Sequence, residues 1–355
     1  MVAIHTDGQL LGDRRRLARG TTLALIALLL VAASASLAVG ASGVSLPAAL
    51  ADLLAGREID ARARIILWDI RLPRLLTGLM VGASLAVAGA VLQGLFRNPL
   101  ADPGLVGVSA GAGLGAISAI VLGGLLPAGL AGLFGTALVP VLALAGSWLS
   151  VSLLYVIATR GGHTSVATML LGGIALAAMT AALSGLLIYM ADDQQLRDLT
   201  FWSLGSLAGA SWSKSLTAAP LMLAALAAAP ALSRGLNALA LGEAAAHHLG
   251  IPVQRLKASA ILVVAAAVGA ATAISGGIGF VGIVVPHLLR LATGPDHRAL
   301  LINSGLLGAS LLLLADVVSR SVVAPSELPI GIVTAVIGGP FFLWILLRRR
   351  GSLEI

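Results

Sequence analysis

The sequence predicts an all-α polytopic membrane protein with about ten transmembrane helices. Three observations lead there. Hydrophobic residues make up 58% of the 355 and charged residues only 10%, where a soluble domain is nearer half and a quarter. Mean hydropathy is +1.02. The apolar residues also gather in runs of roughly 20, the length that crosses a bilayer as a helix, with charges and turn residues between them.

The first run, 21–41, follows Arg14, Arg15, Arg16 and Arg19. It is longer than the 7–15 apolar residues of a cleaved signal, so it reads as a retained span. The second, 75–96, stops at Arg97-Asn98-Pro99, and the third, 104–126, follows a short polar turn. The fourth, 133–158, ends before Arg160-Gly161-Gly162. The fifth, 166–190, ends before Asp192-Asp193, and the sixth, 215–233, before Arg234-Gly235. The seventh and eighth, 258–274 and 277–293, are nearly merged through Ser275-Gly276-Gly277. Gly294-Pro295-Asp296 separates the eighth from the ninth, 300–323, and Pro325 to Pro329 precede the tenth, 330–347. Ten spans leave only short loops, so residues 1–355 read as one membrane domain.

Ten spans place both termini on one side. That side holds 14 of the 22 basic residues but only 6 of the 15 acids. Basic loops stay in the cytoplasm, so both termini are expected there. The net charge of +7 is therefore a record of topology, and no nucleic-acid partner is expected.

Much chemistry is excluded. There is no cysteine, and the only lysines, Lys214 and Lys257, lie outside any phosphate-binding loop. No HExxH or GxSxG motif is present. His247 and His248 are adjacent, so on a helix they diverge by about 100° and make a poor metal pair. No metal and no permanently bound cofactor is expected. Ion-coupled transporters keep ionisable groups inside the membrane. Here Asp316 and Arg320, spaced i,i+4 near the end of the ninth run, are the one acid–base pair within an apolar run. A membrane pathway without its own energy source implies an energy-supplying partner. The competing class, a stand-alone channel or secondary transporter, would need a driving ion gradient.

Two loops are long, Ser42 to Ile70 and Gly235 to Lys257. The second carries a short helical pattern from Leu239 to Leu249, ended by Gly250 and Pro252. Gly78-xxx-Gly82, Gly107-xxx-Gly111-xxx-Gly115 and Gly205-xxx-Gly209 are expected to be close helix contacts.

Three blocks carry a resemblance: RLPRLLTGLMVGASLAVAGAVLQGLFRNPLADPGLVGVSAGAGLGA from Arg71, GGIGFVGIVVPHLLRLATGPDHR from Gly276, and ADVVSR with ELPIGIVTAVIGGPFF from Ala315. Together they resemble the FecCD-type permease subunits of ATP-binding-cassette importers for haem, ferric siderophores and vitamin B12. The resemblance covers nearly the whole chain, and its wording is most similar to haem permeases. It implies a bundle like that of the vitamin B12 importer permease and a bacterial inner-membrane location. It implies a homodimer with the pathway between subunits, two ATPase subunits that use ATP inside, and a periplasmic substrate-binding protein outside. Arg71, Arg74 and Arg320 match arginines that receive the binding protein's acids. Residues 236–255 match the coupling segment, with Leu239, Leu241, Gly242, Glu243, His247, Leu249 and Gly250 as its contacts. Arg197, in QLRDLTFW, is a candidate for a cargo carboxylate. Ser109, Gly111 and Ser118 are expected to leave room for bulky cargo.

Overall fold

The computed structural model describes residues 7–40, 43–58, 60–127, 129, 132 and 134–349. Arg350 of the C-terminal basic group and Ala41 of the first run lie outside them. The helices are α1 (Asp7–Ala38), α2 (Leu46–Leu54), α3 (Ala61–Arg64), α4 (Leu72–Leu95) and α5 (Val108–Leu122). After α6 (Leu138–Ala158), a two-stranded hairpin pairs β1 (Thr159–Arg160) with β2 (His163–Thr164). Then come α7 (Val166–Met190), α8 (Asp193–Leu204), α9 (Trp212–Ala228), α10 (Ser233–Leu239) and α11 (Glu243–His248). The chain finishes with α12 (Val253–Ser275), α13 (Val281–Thr293), α14 (His297–Ser319) and α15 (Ile330–Arg349).

Eight helical segments are long and apolar enough to cross a membrane, and α13 and the apolar part of α15 are two shorter ones. These ten occupy the ten runs read from the sequence. The seventh and eighth runs separate at residues 276–280, where Gly276 (φ 71°) and Phe280 (φ 69°) both leave helical geometry. Phe280 is the unusual one, because a Cβ makes that region costly. The break leaves α13 only 13 residues.

At the centre, α4 is enclosed by α9, α12, α13 and α14. Its most apolar stretch is 78% buried, against 17% for α1 and 22% for α7, so α4 is the axis and the other two form the outer wall. Small residues make the close approach possible. A Cβ on Gly82 would strike the backbone of Gly308 on α14, and one on Gly89 would strike Gly282 on α13. Gly111 and Gly115 meet Gly146 and Leu142 of α6 in the same way. Gly111 is thus a packing residue against α6. Gly205 and Gly209 lie in the turn after α8, where Gly205 (φ 71°) touches Gly277. That third spacing is therefore no helix contact.

α4 enters through a π-helical turn, Ile65–Arg71, whose last bond runs from Leu72 N–H to Leu67 O. Pro73 has no N–H to donate, so the ladder is already interrupted, and a wider turn absorbs the mismatch. The outcome is that Arg71 and Arg74 enter the bundle instead of its rim.

Gly82→Leu should wedge α4 from α14 and cost about 1–3 kcal/mol or more, read as a lowered melting temperature in detergent. Gly113→Ala, where a Cβ meets nothing within 4 Å, should melt like the wild type.

Candidate functional site

Two polar constructions interrupt the apolar bundle, one at each end. The first lies at the α2 end. Its organiser is Asp316 of α14, 1% exposed. Arg74 donates to it through Nε at 3.1 Å and Nη2 at 2.8 Å. The same guanidinium grips Glu327, in the loop before α15, with Nη1 to Oε1 and Nη2 to Oε2 both at 2.9 Å. Arg320 closes on Asp316 at 3.4 Å and donates to Ser36 O at 2.8 Å. Arg71 donates to the carbonyls of Leu37, Ala38 and Val44. It thereby satisfies the C-terminal carbonyls of α1, where a positive charge also suits the helix dipole. Three arginines and two carboxylates thus join α1, α4, α14 and the 320–329 loop.

The resemblance matched Arg71, Arg74 and Arg320 to arginines that receive a binding protein's acids. The structure buries them, at 3%, 7% and 7% exposure, and gives Arg74 and Arg320 acids of their own chain, while Arg71 donates to backbone carbonyls. The Asp316–Arg320 spacing is present as a contact, but Arg74, 242 positions away, holds the shorter one. Glu327 is the exposed member, with 35% of its side chain accessible. It was missed because a single acid in a polar loop carries no periodic signal.

The second construction lies at the α11 end. The helix expected over Leu239 to Leu249 is split. Leu239 closes α10 and is buried, so it anchors the segment. A turn through Gly242 (φ 109°) then starts the six-residue α11, which stops before Gly250 (φ 77°). Leu241, His247, Leu249 and Gly250 are exposed, and the two leucines present bare apolar surface. Glu243 turns inward: Lys257 Nζ meets its Oε1 at 2.8 Å. Lys257, 2% exposed, also donates to Thr164 O at 2.7 Å. One turn earlier on α12, Gln254 Oε1 accepts from Thr164 N–H at 2.8 Å. Both backbone groups of Thr164 are thus held by α12, and the next residue, Ser165, caps α7. α11 is therefore fastened through one buried ammonium to the entrance of α7. The signal for Lys257 was its rarity, one of two lysines in the chain.

A further tie fixes α10. Asn237 donates to Asp296 at 2.6 Å and accepts from His297 N–H at 3.0 Å. Burial pushes the Asp296 carboxyl up, but hydrogen bonds from Arg298 N–H and Asn237, with the charges of Arg298 and His297, leave it below its ordinary value. A depressed carboxylate stabilises the fold above its unfolded pKa of about 3.9 and loses that contribution as pH falls.

Between the two ends, Gly277 to Phe280 line a cavity of ≈190 Å³ with Asp102, Ser109 and Thr272. The same turn borders a recess of ≈490 Å³ with Ser203, Leu204 and Val336. Ser118 donates to Leu114 O at 2.8 Å and lines neither. Arg197 is exposed on α8, whose C-terminal residues border that recess, and makes no ion pair or side-chain hydrogen bond among the described residues. Among those residues no group of three or more His, Cys, Asp or Glu could hold a metal.

The sequence model of the FecCD transport family matches residues 28–348. The hemin transport system permease protein HmuU of Yersinia pestis is 47% identical over 79% of this chain and 83% of its own. The vitamin B12 import system permease protein BtuC of Shigella boydii is 43% identical over 92% and 95%. A solved structure, described as an inward-facing ABC transporter assigned to the metal-chelate type, superposes with a TM-score of 0.80. It is 34% identical and covers 92% of this chain and 98% of its own.

Arg74→Met should strand Asp316 in the bundle and cost about 3–5 kcal/mol, measured as lost thermal stability. Arg74→Met with Asp316→Leu, Arg320→Met and Glu327→Gln, which leaves neither Asp316 nor Arg320 as an unpaired buried charge, should recover most of that loss. As pH falls below about 4, protection of the amides in residues 233–242, corrected for intrinsic exchange, should fall as Asp296 protonates, and Asp296→Asn should flatten that pH dependence.

Proposed function

The chain belongs to the FecCD transport family, and from that premise we propose that it carries hemin across the bacterial inner membrane by alternating access between two copies of itself. As a member it is a multi-pass membrane permease of an ABC importer, a translocation component whose ATPase resides in separate subunits. The finer statements are the reading put forward here. The observation that carries it is the Glu243–Lys257–Thr164 linkage. A lever that joins an exposed cytoplasmic helix to the start of a span is what an externally powered pathway requires.

In this reading the exposed leucines that flank α11, Leu241 and Leu249, seat with His247 in an ATPase subunit. Glu243 does not meet the partner directly. Its pair with Lys257 passes displacement of α11 to the β1–β2 hairpin and so to α7. Lys257 is nearly sealed from water, so the pair is stiffer than an exposed one of modest worth. In this reading both termini lie in the cytoplasm, and the basic-residue distribution supports it.

At the periplasmic end, a binding protein would dock on the Arg71, Arg74 and Arg320 cluster. The chain's own Glu327 occupies the outer side of Arg74, and an acid of the binding protein would take its place. Such a charge exchange sets orientation and encounter rate more than affinity. Hemin is the cargo proposed. The apolar recess suits a tetrapyrrole, and Arg197 can receive a propionate in bidentate fashion. The 47% and 43% identities to hemin and vitamin B12 permeases support the class and do not separate its members. Ferric siderophore and vitamin B12 are therefore arms of the test.

The deciding measurement is ATPase stimulation in the reconstituted complex by binding protein loaded with hemin, cobalamin or a ferrisiderophore. Hemin should stimulate. Stimulation by cobalamin alone would reassign the cargo, and gradient-driven flux through the chain without ATPase subunits would overturn the importer reading. Glu327→Gln should raise the association rate of the binding protein several-fold, about the effect of removing one competing charge. Lys257→Met should leave ATPase subunits bound but cut transport per ATP about tenfold, a loss of ~1.4 kcal/mol in coupling.

A further inference from the structure

Two cavities on one flank have no part in the importer reading. The more apolar one lies between α1 and α9, over a floor of α4 and α14, and measures ≈610 Å³. Small residues cut the floor, Ala83, Gly305 and Ala309, and the walls are leucines such as Leu29 and Leu223. Its polar lining side chains are already engaged. Ser215 Oγ shares a 2.7 Å hydrogen bond with Thr77, and Trp212 Nε1 donates to Trp68 O at 2.9 Å. A polar ligand would give up its hydration there and gain nothing, whereas a hydrocarbon chain loses nothing.

The second cavity, ≈700 Å³, continues this slot toward the periplasmic end. It is lined by Leu37 of α1, Leu72 of α4, Trp68, and Arg57, Glu58 and Arg64. The two meet where Leu72 stands one turn from Leu76, and where the Trp68 and Trp212 rings lie 5.7 Å apart. Paired tryptophans mark the level at which hydrocarbon gives way to headgroups. Above them Arg57 is paired with Asp52 at 2.9 Å. Arg64 and Glu58 make no ion pair or side-chain hydrogen bond among the described residues. One cation and one anion are left open at the mouth of an apolar slot.

We propose that these cavities together hold one phospholipid of the periplasmic leaflet with a zwitterionic headgroup. An acyl chain fills the slot, the phosphate meets Arg64, and the headgroup amine meets Glu58. The slot is long enough for an acyl chain: its α4 side runs from Leu76 to Val87 and its α9 side from Trp212 to Pro230, about 16 Å and about 27 Å at 1.5 Å per residue, against about 15 Å of hydrocarbon in one leaflet. The lipid wedges α1 and α9 against α4, so it would brace the outer wall beside the charge cluster.

The test reconstitutes the full complex in vesicles that carry phosphatidylethanolamine with a photoreactive acyl chain. After irradiation, label should concentrate on peptides spanning Leu76–Val87 and Leu216–Leu226. Gly305→Leu should lower that label about tenfold. A Cβ at Gly305 has Val87 Cγ2 as its nearest neighbour at 3.5 Å, so the new side chain enters the slot without a clash. Ala219→Trp fills it from the opposite wall and should act alike, with melting curves confirming the fold of each. Arg64→Glu should weaken labelling from the same probe. Labelling spread evenly over all bilayer-facing helices, or unchanged by both filling variants, overturns the site. Equal labelling from photoreactive phosphatidylglycerol, which has the phosphate but no amine, overturns the role of Glu58. Cross-links between two copies through α9 would assign the face to a dimer instead.

Discussion

The α2 end of the bundle depends on one carboxylate. Asp316 is enclosed by apolar helices, and an isolated charge there would be costly enough to unfold its surroundings. Arg74 and Arg320 both neutralise it, and each brings another element along. Arg74 adds the loop that carries Glu327, and Arg320 adds the end of α1 through Ser36. A single buried acid therefore fixes where four parts of the chain meet. The cluster holds three arginines against two carboxylates, so it also presents net positive charge to whatever docks there.

The α11 end repeats the same economy with the opposite sign. Lys257 is a buried cation near the start of α12, and its two partners, Glu243 and Thr164 O, belong to α11 and to the hairpin before α7. Between these ends the helices meet through glycine, at Gly82 against Gly308 and Gly89 against Gly282. In lipid no hydrophobic drive pulls helices together, so close backbone packing and buried polar contacts must do so. That is why the charge clusters sit at the ends while the middle is built from small residues.

The spans were legible because each is a local property. A run of apolar residues satisfies its own backbone as a helix in lipid, and no distant residue can change that. The break between the seventh and eighth runs was visible as Ser275-Gly276-Gly277, although the positive φ of Phe280 was not. The helix expected over 239–249 divided at Gly242, because a turn there lets Leu239 stay in the core while Leu241 faces out. The Gly205–Gly209 spacing misled, since i,i+4 glycines carry meaning only on a helix and these lie in a turn.

The sequence by itself determined the class of molecule and where its ten apolar segments fall. Composition and run length answer those questions residue by residue. The tertiary structure decided the company each charge keeps. Arg74 finds Asp316 and Glu327 across more than 240 positions, and Lys257 finds Thr164 across 93. No periodicity joins such partners. They are selected when the helices pack and each buried charge must take the nearest group that can neutralise it.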